Sequence, residues 1–217
     1  MKWIKESKVQ TRGEEIGNAT THAMGALLSL VGISLMIFYC AKQNDLTKLI
    51  SSIVFGSTLF FMYLSSTIYH SLNDPKLKHL FRIIDHASIY LLIAGSYTPF
   101  MLITLRGPWG WTLFTIIWSL AVFGVVFKMF FVHKFAVLST VIYLLMGWLA
   151  VVAIKPIYQN LPWPGLECMV AGGLCYTVGV IFYVWERLKF SHMMWHLFVL
   201  AGSMFHFFAV LFYVVLV

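Results

Sequence analysis

Seven apolar runs, each about as long as a membrane is thick, limit what this chain can fold into more than any other feature. They lie near 20–40, 49–69, 84–105, 111–131, 135–154, 168–185 and 193–216. A transmembrane helix takes about 20 apolar residues, so seven of them use most of the 217 positions and leave only short ends and connections. Inside hydrocarbon every backbone polar group must be satisfied within its own segment, which favours helices. The expected fold is therefore an all-α integral membrane protein, a seven transmembrane helix bundle in one domain over 1–217, with 1–19 as an N-terminal segment. A composition 60% hydrophobic and 11% charged has too little polar surface to close a water-soluble globule. Large soluble domains are excluded, and a multi-pass place in the cell membrane is expected. The longest connection is the segment 155–167, with Pro156, Pro162 and Pro164. Lys2, Lys5, Lys8 and Arg12 precede the first run as in a signal peptide, but its spanning length and the six runs that follow predict that it is retained as the first helix.

The chain carries Lys+Arg 15 against Asp+Glu 8, a net +7 that in a soluble protein would suggest nucleic acid. With the N-terminus in the cytoplasm, eleven of the fifteen basic residues fall on the inner side: Lys2, Lys5, Lys8, Arg12, Lys76, Lys78, Arg82, Lys128, Lys134, Arg187 and Lys189. Lys42, Lys48, Arg106 and Lys155 fall outside. The positive-inside rule thus predicts a cytoplasmic N-terminus and an outer C-terminus. The basic excess then faces anionic lipid and needs no nucleic acid. Trp3, Trp109, Trp111, Trp163 and Trp195 fall near the interfaces, and Cys40, Cys168 and Cys175 read as small core hydrophobes.

Ionisable groups at membrane depth are costly and mark functional sites by default. His22 is expected to open the first helix, His70 to close the second, Asp85 to open the third, and His192 and His196 to open the seventh, all at one end of the bundle. His192 and His196 stand four residues apart, so both imidazoles address one point about 6 Å along a helix. This spacing suits zinc held from a helix, with His70 as the third ligand and a fourth position left for water. Asp85 is then placed to hold or deprotonate that water, and Ser66 to hydrogen-bond it or the substrate. A site at this depth suits a lipid substrate entering sideways. Two bland readings stand beside it: interfacial histidines that bond a head group or a carbonyl, and Asp85 as a helix-dipole carboxylate. Glu15, Asn18 and His22 share one helical face and either orient the metal ligands or form a capped, solvated helix start. His206, about 15 Å beyond His196, is too distant to share their ion and reads as a buried hydrogen-bonding histidine. Gly95 and Pro99 are expected to kink the third helix.

Taken in order, Glu15-x-x-Asn18-x-x-Thr21-His22, Ser66-x-x-x-His70, Asp85-His86 leading into Gly95-Ser96-Tyr97-Thr98-Pro99, and His192-x-x-x-His196 with Gly202-Ser203 and His206 resemble the bacterial hemolysin III family. That family belongs to the progestin and adipoQ receptor superfamily. The resemblance implies a seven-helix fold with a cytoplasmic N-terminus and a zinc ion near the inner face. It implies His70, His192 and His196 as zinc ligands, with Asp85 and Ser66 beside them. Its relation to receptors with ceramidase activity implies a zinc-dependent hydrolase of lipid amide or ester bonds, with membrane lipids as partners. The alternatives are a membrane sensor or regulator with structural zinc and, by the family name, a cytolysin. Against the last, no amphipathic segment in the chain could switch from water to membrane.

Overall fold

The computed structural model describes residues 10–132, 134–185 and 187–217, so Lys2, Trp3, Lys5 and Lys8 lie outside the described residues. Among the described residues the chain is helical with no strand, and seven helices are long and apolar enough to cross a membrane. The first four spans are built on α1 (Arg12–Gln43), α2 (Leu46–Ser71), α3 (Pro75–Pro99) and α4 (Pro108–Phe131). The fifth joins α5 (Ala136–Gly147) to α6 (Ile154–Asn160), and α7 (Trp163–Val184) and α8 (Ser191–Val210) complete the bundle. Large apolar side chains such as Phe130, 73% exposed, and Val137, 75% exposed, cover the outside. Such a surface is incompatible with water and suited to lipid.

Capping groups, rather than the onset of hydrophobicity, set where the helices begin. Thr11 opens α1 with a capping box: its hydroxyl accepts the Glu14 N–H at 3.3 Å, and Glu14 Oε2 accepts the Thr11 N–H at 2.9 Å. Asp45 accepts the Lys48 N–H at 3.0 Å at the start of α2, and Asp74 accepts the Leu77 N–H at 2.9 Å before Pro75 in α3. α1 and α3 therefore begin well before their apolar runs. Residues 12–19 are the first turns of α1 rather than a separate segment, and neither His22 nor Asp85 opens its helix. Each lies ten residues, about three turns, inside.

Proline positions account for two further departures from the expected layout. The segment 155–167 is mostly helix, because Pro156 and Pro164 sit in the first turns of α6 and α7, where no backbone N–H is needed. The irregularity in the third span falls at Pro99 and not at Gly95. Beyond it the chain widens into a π-helical turn, Phe100–Thr104. The fifth span breaks after Gly147 into the 3-10 stretch Leu149–Ala153. There the Tyr97 hydroxyl donates to Gly147 O and accepts the Ala150 N–H, both at 2.8 Å.

α3 lies at the centre and is the most enclosed span, packed between α2 and α4, while α1 and α8 close on each other beside α2. Close approaches rest on missing side chains. A Cβ at Gly25 of α1 would stand 2.6 Å from the ring of buried Tyr63 in α2, and one at Gly124 of α4 would collide with the ring of Tyr90 in α3. At the end of the bundle where α1 stops, the buried Lys48 ammonium donates to Gln43 Oε1 at 2.7 Å, Val215 O at 3.0 Å and Val217 O at 2.9 Å. Replacing Gly25 by Val forces α1 and α2 apart against the fixed Tyr63 ring, and overpacking of this kind costs about 1–3 kcal/mol. Thermal unfolding of the detergent-solubilised protein should show a lower midpoint for Gly25→Val.

Candidate metal centre

Four helix ends bring the centre together. His70 stands in the last turn of α2, and His192 and His196 stand one turn apart at the start of α8, so their rings share a face. One nitrogen from each of the three rings lies within 4.8 Å of the others, and such a group could hold a metal ion. The ring centroids are 5.1 Å apart for His70 and His192, 5.1 Å for His70 and His196, and 4.6 Å for His192 and His196. His70 and His196 are buried.

What orients these rings comes largely from α1. His70 donates from Nδ1 to Glu15 Oε2 at 2.6 Å, and the other Glu15 oxygen accepts from Lys78 Nζ at 2.7 Å. His196 donates from Nδ1 to the Asn18 carbonyl at 3.1 Å, with the Thr21 hydroxyl 3.3 Å away. Each bond commits Nδ1 as a donor and leaves Nε2 as the nitrogen with a lone pair to offer. His70 Nε2 is buried with no hydrogen-bond partner among the described residues. An orphaned buried acceptor costs about 1–3 kcal/mol, and a cation shared with the other two imidazoles removes that cost. The three residues therefore fit a metal, and the carboxylate and carbonyl behind them are the partners that ligating histidines usually have.

The other predicted residues fall into distinct positions. Glu15 and Asn18 reach the ligands through hydrogen bonds, and the N-terminal cap of α1 belongs to Thr11 and Glu14, so Glu15 is not a solvated capping residue. Neither ring nitrogen of His22 has a hydrogen-bond partner among the described residues. The ring stacks on His196 with centroids 3.5 Å apart and planes 8° from parallel, and Tyr63 meets it edge-on at 5.0 Å. Asp85 is buried and lies outside the three-histidine group, with Oδ2 3.8 Å from His86 Nδ1. Its depth inside α3 removes the helix-dipole reading. Ser66 Oγ is buried without a well-formed hydrogen bond, and Ser66 and Asp85 line the same cavity. His206 stands apart from the cluster, its Nε2 3.2 Å from Met169 O.

That cavity, of about 160 Å³, begins at His192, His196 and Asp85 and continues along α3 to Phe100 and across to Ile154. Fifteen residues of helix span about 22 Å, so the cavity follows much of the membrane thickness. Its walls beyond the polar end are chiefly apolar side chains of α3, α5, α7 and α8.

Lys78 was not legible as part of this site, because in the sequence it is one of several loop cations. Its only signal is position, eight residues after His70 across a short connection. Glu14 likewise joins the start of α8, accepting the Phe190 N–H at 3.1 Å, and Gln10 accepts from the Asn18 amide. Neutralising Glu15 removes the charged partner of His70, and lost partners of this kind cost about 10–100-fold in metal affinity. Glu15→Gln should show that loss in chelator competition with a divalent metal, and Lys78→Met, one bond further away, a smaller one.

Known proteins share this arrangement of sequence along nearly the whole chain. The family model described as haemolysin-III related matches residues 10–207. Hemolysin-3 of Bacillus cereus is 53% identical over 93% of this chain and 92% of its own length. A hemolysin-3 homolog of Bacillus subtilis (strain 168) is 48% identical over 93% and 95%. More distantly, the monocyte to macrophage differentiation factor of Homo sapiens is 28% identical over 91% of this chain and 83% of its own. No solved structure matches significantly. With seven spanning helices and a family model that covers almost all of them, the chain belongs to the haemolysin-III-related family of multi-pass membrane proteins.

Proposed function

We propose that the protein is a zinc-dependent hydrolase of lipid amide or ester bonds, with its N-terminus in the cytoplasm. The observation that carries this reading is the position of the three-histidine group at the polar head of a long apolar cavity, with buried Asp85 and Ser66 at the same end. Three neutral imidazoles suit zinc better than the hard cations that prefer oxygen. Bound zinc supplies Lewis-acid polarisation of a carbonyl and lowers the pKa of water.

The chain's own residues do the rest. His70, His192 and His196 would hold the ion, with Glu15 and the Asn18 carbonyl fixing two of the rings. The apolar cavity takes an acyl chain and excludes bulk water, which strengthens every charge interaction at its head. Asp85 takes a proton from the attacking water on a carboxylate oxygen as the new C–O bond forms. It returns that proton to the leaving nitrogen or oxygen as the old bond breaks. Ser66, buried beside Asp85 without a well-formed hydrogen bond, donates its hydroxyl to the substrate oxygen.

Activity is tested on purified protein with a panel of lipid amides and esters. His192→Ala should abolish turnover, and Asp85→Asn should lower it by about 10²-fold or more while metal stays bound. Full turnover in either variant overturns the reading. Loss of thermal stability on metal removal, with no turnover by the loaded protein, favours a regulator with structural zinc. Orientation rests on the distribution of Lys and Arg and is tested separately. In a background lacking Cys40, Cys168 and Cys175, a membrane-impermeant maleimide on intact cells should label Lys155→Cys and spare Lys76→Cys; the opposite pattern inverts the protein.

A further inference from the structure

His206 is an imidazole in the interior of the seventh span, outside the three-histidine group. It stands ten residues beyond His196, about 15 Å along α8. His192, His196, Val199 and His206 recur at helical spacing and all line the cavity. The stripe of α8 that carries two of the histidines at the head of the cavity therefore carries one more imidazole further down. There the walls are chiefly apolar, and a polar atom is costly unless it is paired.

The neighbours of the ring fix how it is held. Its Nε2 lies 3.2 Å from Met169 O. A carbonyl only accepts, so Nε2 carries the proton and the neutral imidazole keeps its lone pair on Nδ1. A Cβ at Gly172 would collide with His206 Cδ2 and Nε2, so this edge of the ring fills the space that the glycine leaves on α7. Tyr176 meets the ring edge-on with centroids 5.4 Å apart, and its own hydroxyl is taken by Ser203 Oγ at 2.9 Å. Nδ1 is the ring atom opposite the edge that Gly172 receives, so it points away from that glycine. It is buried and has no hydrogen-bond partner among the described residues. By contrast, the Ser96, Tyr97, Thr140, Tyr143 and Thr177 hydroxyls that line the cavity are all bonded to backbone carbonyls.

We infer that His206 Nδ1 is a hydrogen-bond acceptor for the ligand, and that the lipid taken up carries a hydroxyl partway down its chain. The tautomer selects the chemistry. A hydroxyl can donate to Nδ1, whereas a ketone brings only a second lone pair and is refused. With the polar end of the lipid at the three histidines, the acceptor stands about 15 Å into a cavity about 22 Å long. The hydroxyl thus belongs about two-thirds of the way along the chain. The Met169 bond and the glycine slot hold the ring before the ligand arrives, so little ordering opposes binding. The inference rests on the reading of the cavity as the seat of an acyl chain and names the class of chain. It requires no turnover.

The test uses full-length protein in detergent, as wild type, His206→Leu and His206→Gln. Each is titrated, by displacement of a fluorescent fatty acid, with stearic acid and with its hydroxy and keto derivatives. Both derivatives are substituted at the same carbon, about two-thirds of the way along the chain. Wild type should bind the hydroxy acid about tenfold more tightly than the keto acid, as one buried hydrogen bond allows, and more tightly than stearic acid. His206→Leu should bind stearic acid as well as wild type does and lose the preference. His206→Gln, which keeps a donor for Met169 O and an acceptor for the ligand, should recover most of it. Equal affinity of wild type for the three acids overturns the proposal, whatever the variants do, and leaves the cavity as a lipid site. A preference for the keto acid overturns it by reversing donor and acceptor, and so does a hydroxyl preference that survives in His206→Leu. Failure of all three acids to bind wild type overturns the subsite and the lipid reading together.

Discussion

Hydrocarbon does not solvate polar groups, and the rest of the molecule follows from that. Each donor or acceptor at membrane depth must be paired inside the bundle or held for a ligand. Most are paired locally. Ser29, Thr67, Thr98 and Thr177 return their hydroxyls to the carbonyl one turn back, and Tyr97 bridges the gap in the fifth span. Among the described residues the unpaired nitrogens of His22 and His70 and the hydroxyl of Ser66 lie toward one end, whereas Ser51, Tyr90 and His206 hold unpaired atoms elsewhere in the bundle. Unmet hydrogen-bonding capacity therefore marks the site only where it coincides with the three-histidine group.

Glu15 is the junction through which three helices meet. One oxygen fixes a ring on α2 and the other holds a lysine on α3, while the carboxylate itself is carried by α1. The centre is therefore assembled by tertiary contacts between helix ends. Its geometry depends on how α1 lies against α2 and α3, which in turn depends on close approaches such as Gly25 against Tyr63.

The seven spans were legible because apolar runs of membrane length have few other uses, and the histidine triad because its i, i+4 pair and helix-end positions limit where the rings can point. Helix boundaries were less legible. Hydrophobicity reports the lipid-facing portion, whereas Thr11, Asp45 and Asp74 set where winding begins. That is why His22 and Asp85 proved to be interior residues. Pairings such as Lys78 with Glu15 were hidden because residues 63 positions apart carry no mutual signal in one sequence. Lys128 reads from the sequence as one inner cation among several, since hydropathy cannot distinguish a lysine that reaches water from one buried against α3.

Lys48, at the far end from the histidines, is fully occupied: one ammonium ties the α1–α2 turn to the Val215 and Val217 carbonyls beyond α8. The two poles of the bundle are consequently held by different means. One is a peg made from the chain itself, and the other is a ring of imidazoles that could hold a metal ion. Slow opening should therefore begin at the histidine pole and fade toward the Lys48 pole.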